Sequence, residues 1–136
     1  MPPGIDHLMI NCNDYAAAIS FYSWLMPQIG YSQTASFDQP APLTGWFGAG
    51  GSIWVSESAK DGRQSFSKER VGLREIAFRA ENRAQIDTLA TQIEAHGGKI
   101  LDAPREHDYV PGYYSVFFAD PDGIKLELVH IPHGNG

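Results

Sequence analysis

Leu73-Arg74-Glu75-Ile76-Ala77-Phe78 repeats, 68 positions further on, the pattern of Ile5-Asp6-His7-Leu8-Met9-Ile10, and this recurrence decides how the chain is read. Each stretch opens on an apolar residue, passes two polar ones and ends in three apolar ones, and each reads as a short strand. The recurrence continues past the strands. Asp14 stands as a helix N-cap ahead of Ala18, Phe21, Tyr22 and Leu25, whose i, i+3, i+4, i+7 spacing makes one buried stripe. Asn82 stands in the same relation to Ile86, Leu89, Ala90 and Ile93. Gly30 ends the first helical unit and maps onto Gly98. Strand, cap, stripe and closing glycine keep one register, which points to a duplicated unit.

After each helix the pattern changes to short runs punctuated by Gly, Pro, Asn and Asp. These predict strands near Tyr31–Phe37, Leu43–Gly48 and Ser52–Glu57, then near Lys99–Leu101, Tyr113–Phe118 and Ile124–His130. The expected fold is α+β: two tandem βαβββ modules, residues 4–58 and 71–132, joined by a polar aperiodic linker at 59–70 within one domain of 136 residues. The stretch Asp102–Gly112, with Pro104 and Pro111, is expected to be a rim or lid loop. One helix covers only one face of a four-stranded sheet. The other faces must meet each other or those of a second chain, so a curved sheet around a cleft is expected.

Sixteen acidic and ten basic residues give a net charge of −6, with no basic stripe to displace counterions, so a nucleic-acid partner is not expected. No apolar run suits a signal peptide or a membrane span, and the default compartment is the cytoplasm. A single cysteine, Cys12, can form no internal disulfide and is expected to be a small packed side chain rather than a reactive thiol.

Parity separates the two faces of each strand. If Leu8 and Ile10 face the helix, His7, Met9 and Asn11 face the cleft; if Ile76 and Phe78 face the helix, Glu75, Ala77 and Arg79 face the cleft. On the last strand Ile124, Leu126 and Leu128 form the apolar row and leave Glu127 opposite. His7, Glu75 and Glu127 are thereby expected to approach one space from three strands.

Three stretches carry a family resemblance: Ile5-Asp6-His7-Leu8, Leu73 to Arg79, and Asp120-Pro121-Asp122-Gly123-Ile124-Lys125-Leu126-Glu127-Leu128. Preceded by Pro111-Gly112-Tyr113-Tyr114-Ser115-Val116-Phe117-Phe118, the last is the most specific. Together the chain resembles the glyoxalase/bleomycin-resistance/extradiol-dioxygenase family, the vicinal oxygen chelate family. The resemblance implies a metal site at His7, Glu75 and Glu127 for Zn, Mn, Fe or Ni, with Glu75 and Glu127 also the candidate catalytic groups. It implies a lyase or isomerase acting on a small substrate with two adjacent oxygens, and a homodimer. Glu75 stands where metal-dependent members frequently have His. Trp54 falls opposite Glu127 under a shift of 73, where a carboxylate ligand would be expected. A metal-free protein binding a small molecule or antibiotic is the alternative, and it predicts candidate ligands dispersed or paired with cations. Resistance by thiol transfer lacks a recognisable potassium or thiol site.

Plainer readings stand beside these. His7 could be a hydrogen-bonded residue of a cleft wall, Glu127 could pair with Arg79 or Lys125, and Glu75 with Arg74. Trp46, Trp54, Tyr109, Tyr113 and Arg79 are candidates for the pocket wall, with core or strand packing the competing explanation for the aromatics and for Tyr114. His107 is expected to be an exposed loop residue. His96, His130 and His133 receive no role.

Overall fold

The computed structural model describes residues 2–132, so His133 lies outside the described residues. The chain has the predicted α+β fold with two tandem modules, forming two compact units that divide between Gln64 and Ser65. The first unit holds β1 (His7–Cys12), α1 (Tyr15–Gln28), β2 (Gln33–Phe37), β3 (Leu43–Gly48) and β4 (Gly51–Glu57). The second holds β5 (Ile76–Arg79), α2 (Arg83–Ala90), β6 (Lys99–Glu106), β7 (Tyr114–Ala119) and β8 (Lys125–His130). Strand order is β1-β4-β3-β2 in one sheet and β5-β8-β7-β6 in the other. In each, the first and last strands pair in parallel and the other pairs are antiparallel.

Local chemistry explains the helices. Asp14 caps α1 by accepting the Ala17 N–H at 3.1 Å, and Asn82 caps α2 by accepting that of Gln85 at 2.8 Å. Ala18, Phe21, Tyr22 and Leu25 are all buried against the first sheet's core, as are Ile86, Leu89 and Ile93 in the second unit. Ala90 is only half-buried. The glycine that closes the second helical stretch is Gly97, at φ +100°, rather than Gly98. Residues Glu94–His96 wind into a tighter 3₁₀ turn, and the Gly97 N–H returns to the Glu94 carbonyl at 3.2 Å. That turn closes one residue sooner than the turn ending at Gly30, whose φ is +92°.

The expected rim loop is shorter than its prolines suggest. β6 runs on to Glu106 at the sheet edge, with register shifts between Ile100 and Asp102 and between Asp102 and Arg105. An outer strand with irregular pairing tolerates Pro104, which has no N–H to give. The remaining loop is closed by the His107 N–H bonding to the Tyr113 carbonyl at 2.9 Å.

Alternation holds on the opening strands. Ile10 and Cys12 are buried while His7, Met9 and Asn11 are exposed; Ile76 and Phe78 are buried while Ala77 and Arg79 are exposed. Trp46 is wholly buried and packs on Tyr22 of α1, ring centroids 6.0 Å apart. It is a core residue, and the pocket role considered for it is corrected. No helix among the described residues is long and apolar enough to cross a membrane.

Candidate functional site

Pairing register gives two side chains matching stations. Trp54 lies opposite Met9 in the β1/β4 ladder, and Glu127 lies opposite Ala77 in the β5/β8 ladder. Met9 and Ala77 are themselves 68 positions apart, so indole and carboxylate occupy equivalent places in the two units.

In the second unit Glu127 is only 2% exposed, although it points away from the apolar row of β8. Its cross-strand partner is Phe117 of β7, and the phenol of Tyr113, just ahead of β7, donates a hydrogen bond to its Oε2. The Glu75 carboxyl, at the mouth of β5, faces it. Lys125 Nζ lies 3.4 Å from Glu75 Oε1 and 4.6 Å from the centre of the Phe117 ring.

The electrostatics follow from this crowding. Burial raises the pKa of Glu127 above the usual carboxylate value and the facing Glu75 adds to it, while the Tyr113 hydroxyl acts in the opposite direction. Two carboxyls at one point cannot both ionise cheaply, which adds to the upward shift of Glu127. Burial likewise raises the Tyr113 phenol, and its bond to Glu127 raises it further, so it stays a donor.

A pocket of about 640 Å³ adjoins these groups within the same unit. Phe66, Leu101, His107, Tyr109 and Phe117 supply its apolar and aromatic wall, and Lys125 reaches into it. Phe66 belongs to the segment read as a linker, which here forms part of the wall. His107 is not a freely exposed loop residue: its Nε2 is buried with no hydrogen-bond partner, and its ring lies parallel to that of Tyr109 at 5.3 Å. Phe117 and Tyr113 meet the same ring edge-on at 5.4 and 5.9 Å.

In the first unit His7 is partly exposed, its Nδ1 2.7 Å from Asp6 Oδ1. It borders a pocket of about 280 Å³ with Met9, Phe37, Phe47 and Trp54. The Trp54 indole N–H donates to Ser52 Oγ at 3.0 Å, and its ring stacks on Phe37 at 6.2 Å.

Several alternatives are settled by these contacts. Lys125 pairs with Glu75, not Glu127, and Glu75 takes it in place of Arg74. Arg79 is exposed on β5 and lines neither pocket. Tyr114 is a packing residue whose hydroxyl donates to Asp87 of α2 at 2.5 Å while Arg83 covers its ring. The Tyr113 to Glu127 bond is the contact that strand patterning missed. Its signal was parity: Tyr113 and Phe117 share one face of the hairpin with Glu127.

The donor set bears on a metal. Glu75 and Glu127 form a pair of hard oxygen donors, one of them paired with Lys125, and such oxygens fit two ligands of a divalent ion. Among the described residues of either unit, no group of three or more His, Cys, Asp or Glu side chains gathers to hold one. His7, the third candidate, belongs to the other unit.

The match to the Glyoxalase/Bleomycin resistance protein/Dioxygenase superfamily runs over residues 4–128, and the chain belongs to that superfamily. YqjT of Bacillus subtilis (strain 168), an uncharacterized protein, is 28% identical over 134 residues, covering 90% of this chain and 95% of YqjT. Two crystal structures share the fold. A glyoxylase/bleomycin resistance protein/dioxygenase domain from Frankia sp. EAN1pec has a TM-score of 0.76 at 20% identity, covering 96% of this chain and 98% of its own. A glyoxalase/bleomycin resistance protein from Albidiferax ferrireducens T118 has a TM-score of 0.75 at 21% identity, covering 94% and 98%.

Proposed function

We propose that this chain is a lyase or isomerase of the glyoxalase type, acting on a small molecule with two adjacent oxygens, with the Glu75/Glu127 pair as its proton-handling centre. The observation that carries the reading is the buried Glu127 carboxyl facing Glu75. A buried carboxyl whose pKa is raised, beside a second carboxyl, suits a step in which a proton leaves carbon and returns elsewhere. Tyr113 fixes the Glu127 carboxyl in place through its hydroxyl, and aromatic side chains line the adjoining pocket.

A divalent ion, Zn, Mn, Fe or Ni, would take Glu75 and Glu127 as ligands. When bound it would supply Lewis acidity toward the paired substrate oxygens. The test is metal analysis of the purified protein, repeated on Glu75→Ala and Glu127→Ala. About one ion per chain, lost in both variants, is expected. Metal content near zero together with small-molecule binding that survives both substitutions overturns the reading.

The second reading, a metal-free binding protein, draws on the Lys125–Glu75 ion pair, because an ammonium already compensates one carboxylate. It predicts that ligand affinity is indifferent to chelator. We extend the first reading to a homodimer, supported by the apolar Met9 and Phe37, 56% and 53% exposed on the first sheet. Sedimentation equilibrium giving only monomer removes that extension.

A further inference from the structure

The pocket of the second unit has a composition that names its guest. Its wall is aromatic on several sides: Phe117 on the sheet, Phe66 from the segment before β5, and the parallel rings of His107 and Tyr109 from the loop after β6. Flat walls of this kind favour a planar ring, which stacks or meets them edge-on, over a puckered one of equal size. At about 640 Å³ the space suits a single small ligand.

The polar side of the wall is biased toward anions. Three cationic side chains, Lys68, Arg105 and Lys125, line it against two acidic ones, Glu69 and Asp102. Arg105 and Asp102 cancel each other in a two-pronged pair at 2.9 and 3.0 Å. Lys125 is different. Its side chain is only 18% exposed, its ammonium sits over the Phe117 ring, and the Glu75 carboxylate lies 3.4 Å away. That is longer than a tight charge-assisted hydrogen bond, and an ammonium carries three protons, so donors remain for a ligand.

We propose that this pocket binds a small aromatic carboxylic acid, its ring against Phe117 and Tyr109 and its carboxylate on Lys125 Nζ. A monoanion matches a single ammonium beside an acidic pair; a phosphate dianion would face that pair with too few donors. The proposal rests on the reading of the Glu75/Glu127 region as a small-molecule site, and it specifies the acid that region receives.

Calorimetric titration of the full chain in EDTA tests it, with benzoate, benzyl alcohol, benzylamine and cyclohexanecarboxylate as probes. Benzoate is expected to bind at least about tenfold more tightly than the other three. Lys125→Met should weaken benzoate by about tenfold or more, Lys125→Arg should retain most of the affinity, and Tyr109→Ala should weaken it several-fold. Circular dichroism of each variant verifies the fold, and the Arg variant distinguishes a lost charge from a disturbed site. Benzyl alcohol or benzylamine binding as well as benzoate overturns the proposal, as does a folded Lys125→Met that binds benzoate unchanged. Because no metal is present in this titration, its failure leaves the metal analysis of Glu75 and Glu127 standing, and a failed metal analysis leaves benzoate binding standing.

Discussion

Replacing Glu127 with glutamine removes the ionisable proton of the buried carboxyl while keeping its shape, and a gain in stability that grows with pH should follow. The glutamine carbonyl can still accept the Tyr113 hydroxyl, and its amide can donate to Glu75, so both contacts of the native side chain have a counterpart. Burial raises the Glu127 pKa and Glu75 adds to it, so the folded chain holds this proton more tightly than the unfolded one. Below the unfolded value, about 4.3 for glutamate, both states are protonated and the hydrogen-bonded carboxyl contributes in full. As pH rises through the higher folded value, the group ionises inside the protein and that contribution is lost. Each tenfold weakening of the acid on folding corresponds to about 1.4 kcal/mol. Glu127→Gln should therefore match the native chain near about pH 4 and exceed it by a margin that grows as the pH rises toward about 8. Urea unfolding followed by far-UV circular dichroism across this range, in EDTA so that no cation offsets the charge, measures it. A variant less stable than the native chain at high pH, or a difference that does not change with pH, refutes the reasoning.

Two further outcomes follow from the same contacts. Tyr113→Phe removes the donor to Glu127 and should raise that carboxyl's pKa further and cost about 1–3 kcal/mol near neutral pH; carbon-13 titration of the glutamate carboxyls and urea unfolding read the two effects. Gly45→Ala would drive a methyl into the Trp54 ring, so the ring must leave its place between Phe37 and Phe47. A shift in tryptophan emission is expected with the second unit's chemical shifts unchanged, and unaltered emission would count against that packing.

Most of the fold was legible because its signals are local. Asp14 and Asn82 need only their own helices to act as caps, and alternation in β1 and β5 needs only a covered face. What escaped depends on neighbours distant in sequence. β6 outlasts Pro104 because it pairs on one side only, and a sequence does not say which strand lies at an edge. Gly97 replaces Gly98 because the preceding turn tightens, a choice smaller than the register of a repeat can detect. Trp46 and Trp54 sit on the same sheet, yet one meets α1 and the other does not, and only the sheet's facing decides which is core. At the site, Glu75 and Glu127 were legible from parity, whereas the Tyr113 hydroxyl and the Lys125 ammonium required knowing how β7 lies beside β8.

The equivalence of Trp54 and Glu127 in their ladders has a consequence for how such a protein can change. A duplicated scaffold offers each chemical position twice, so one copy can keep an acid while the other takes an indole. New reactivity can then arise by rewriting one half, with the sister half left to supply shape.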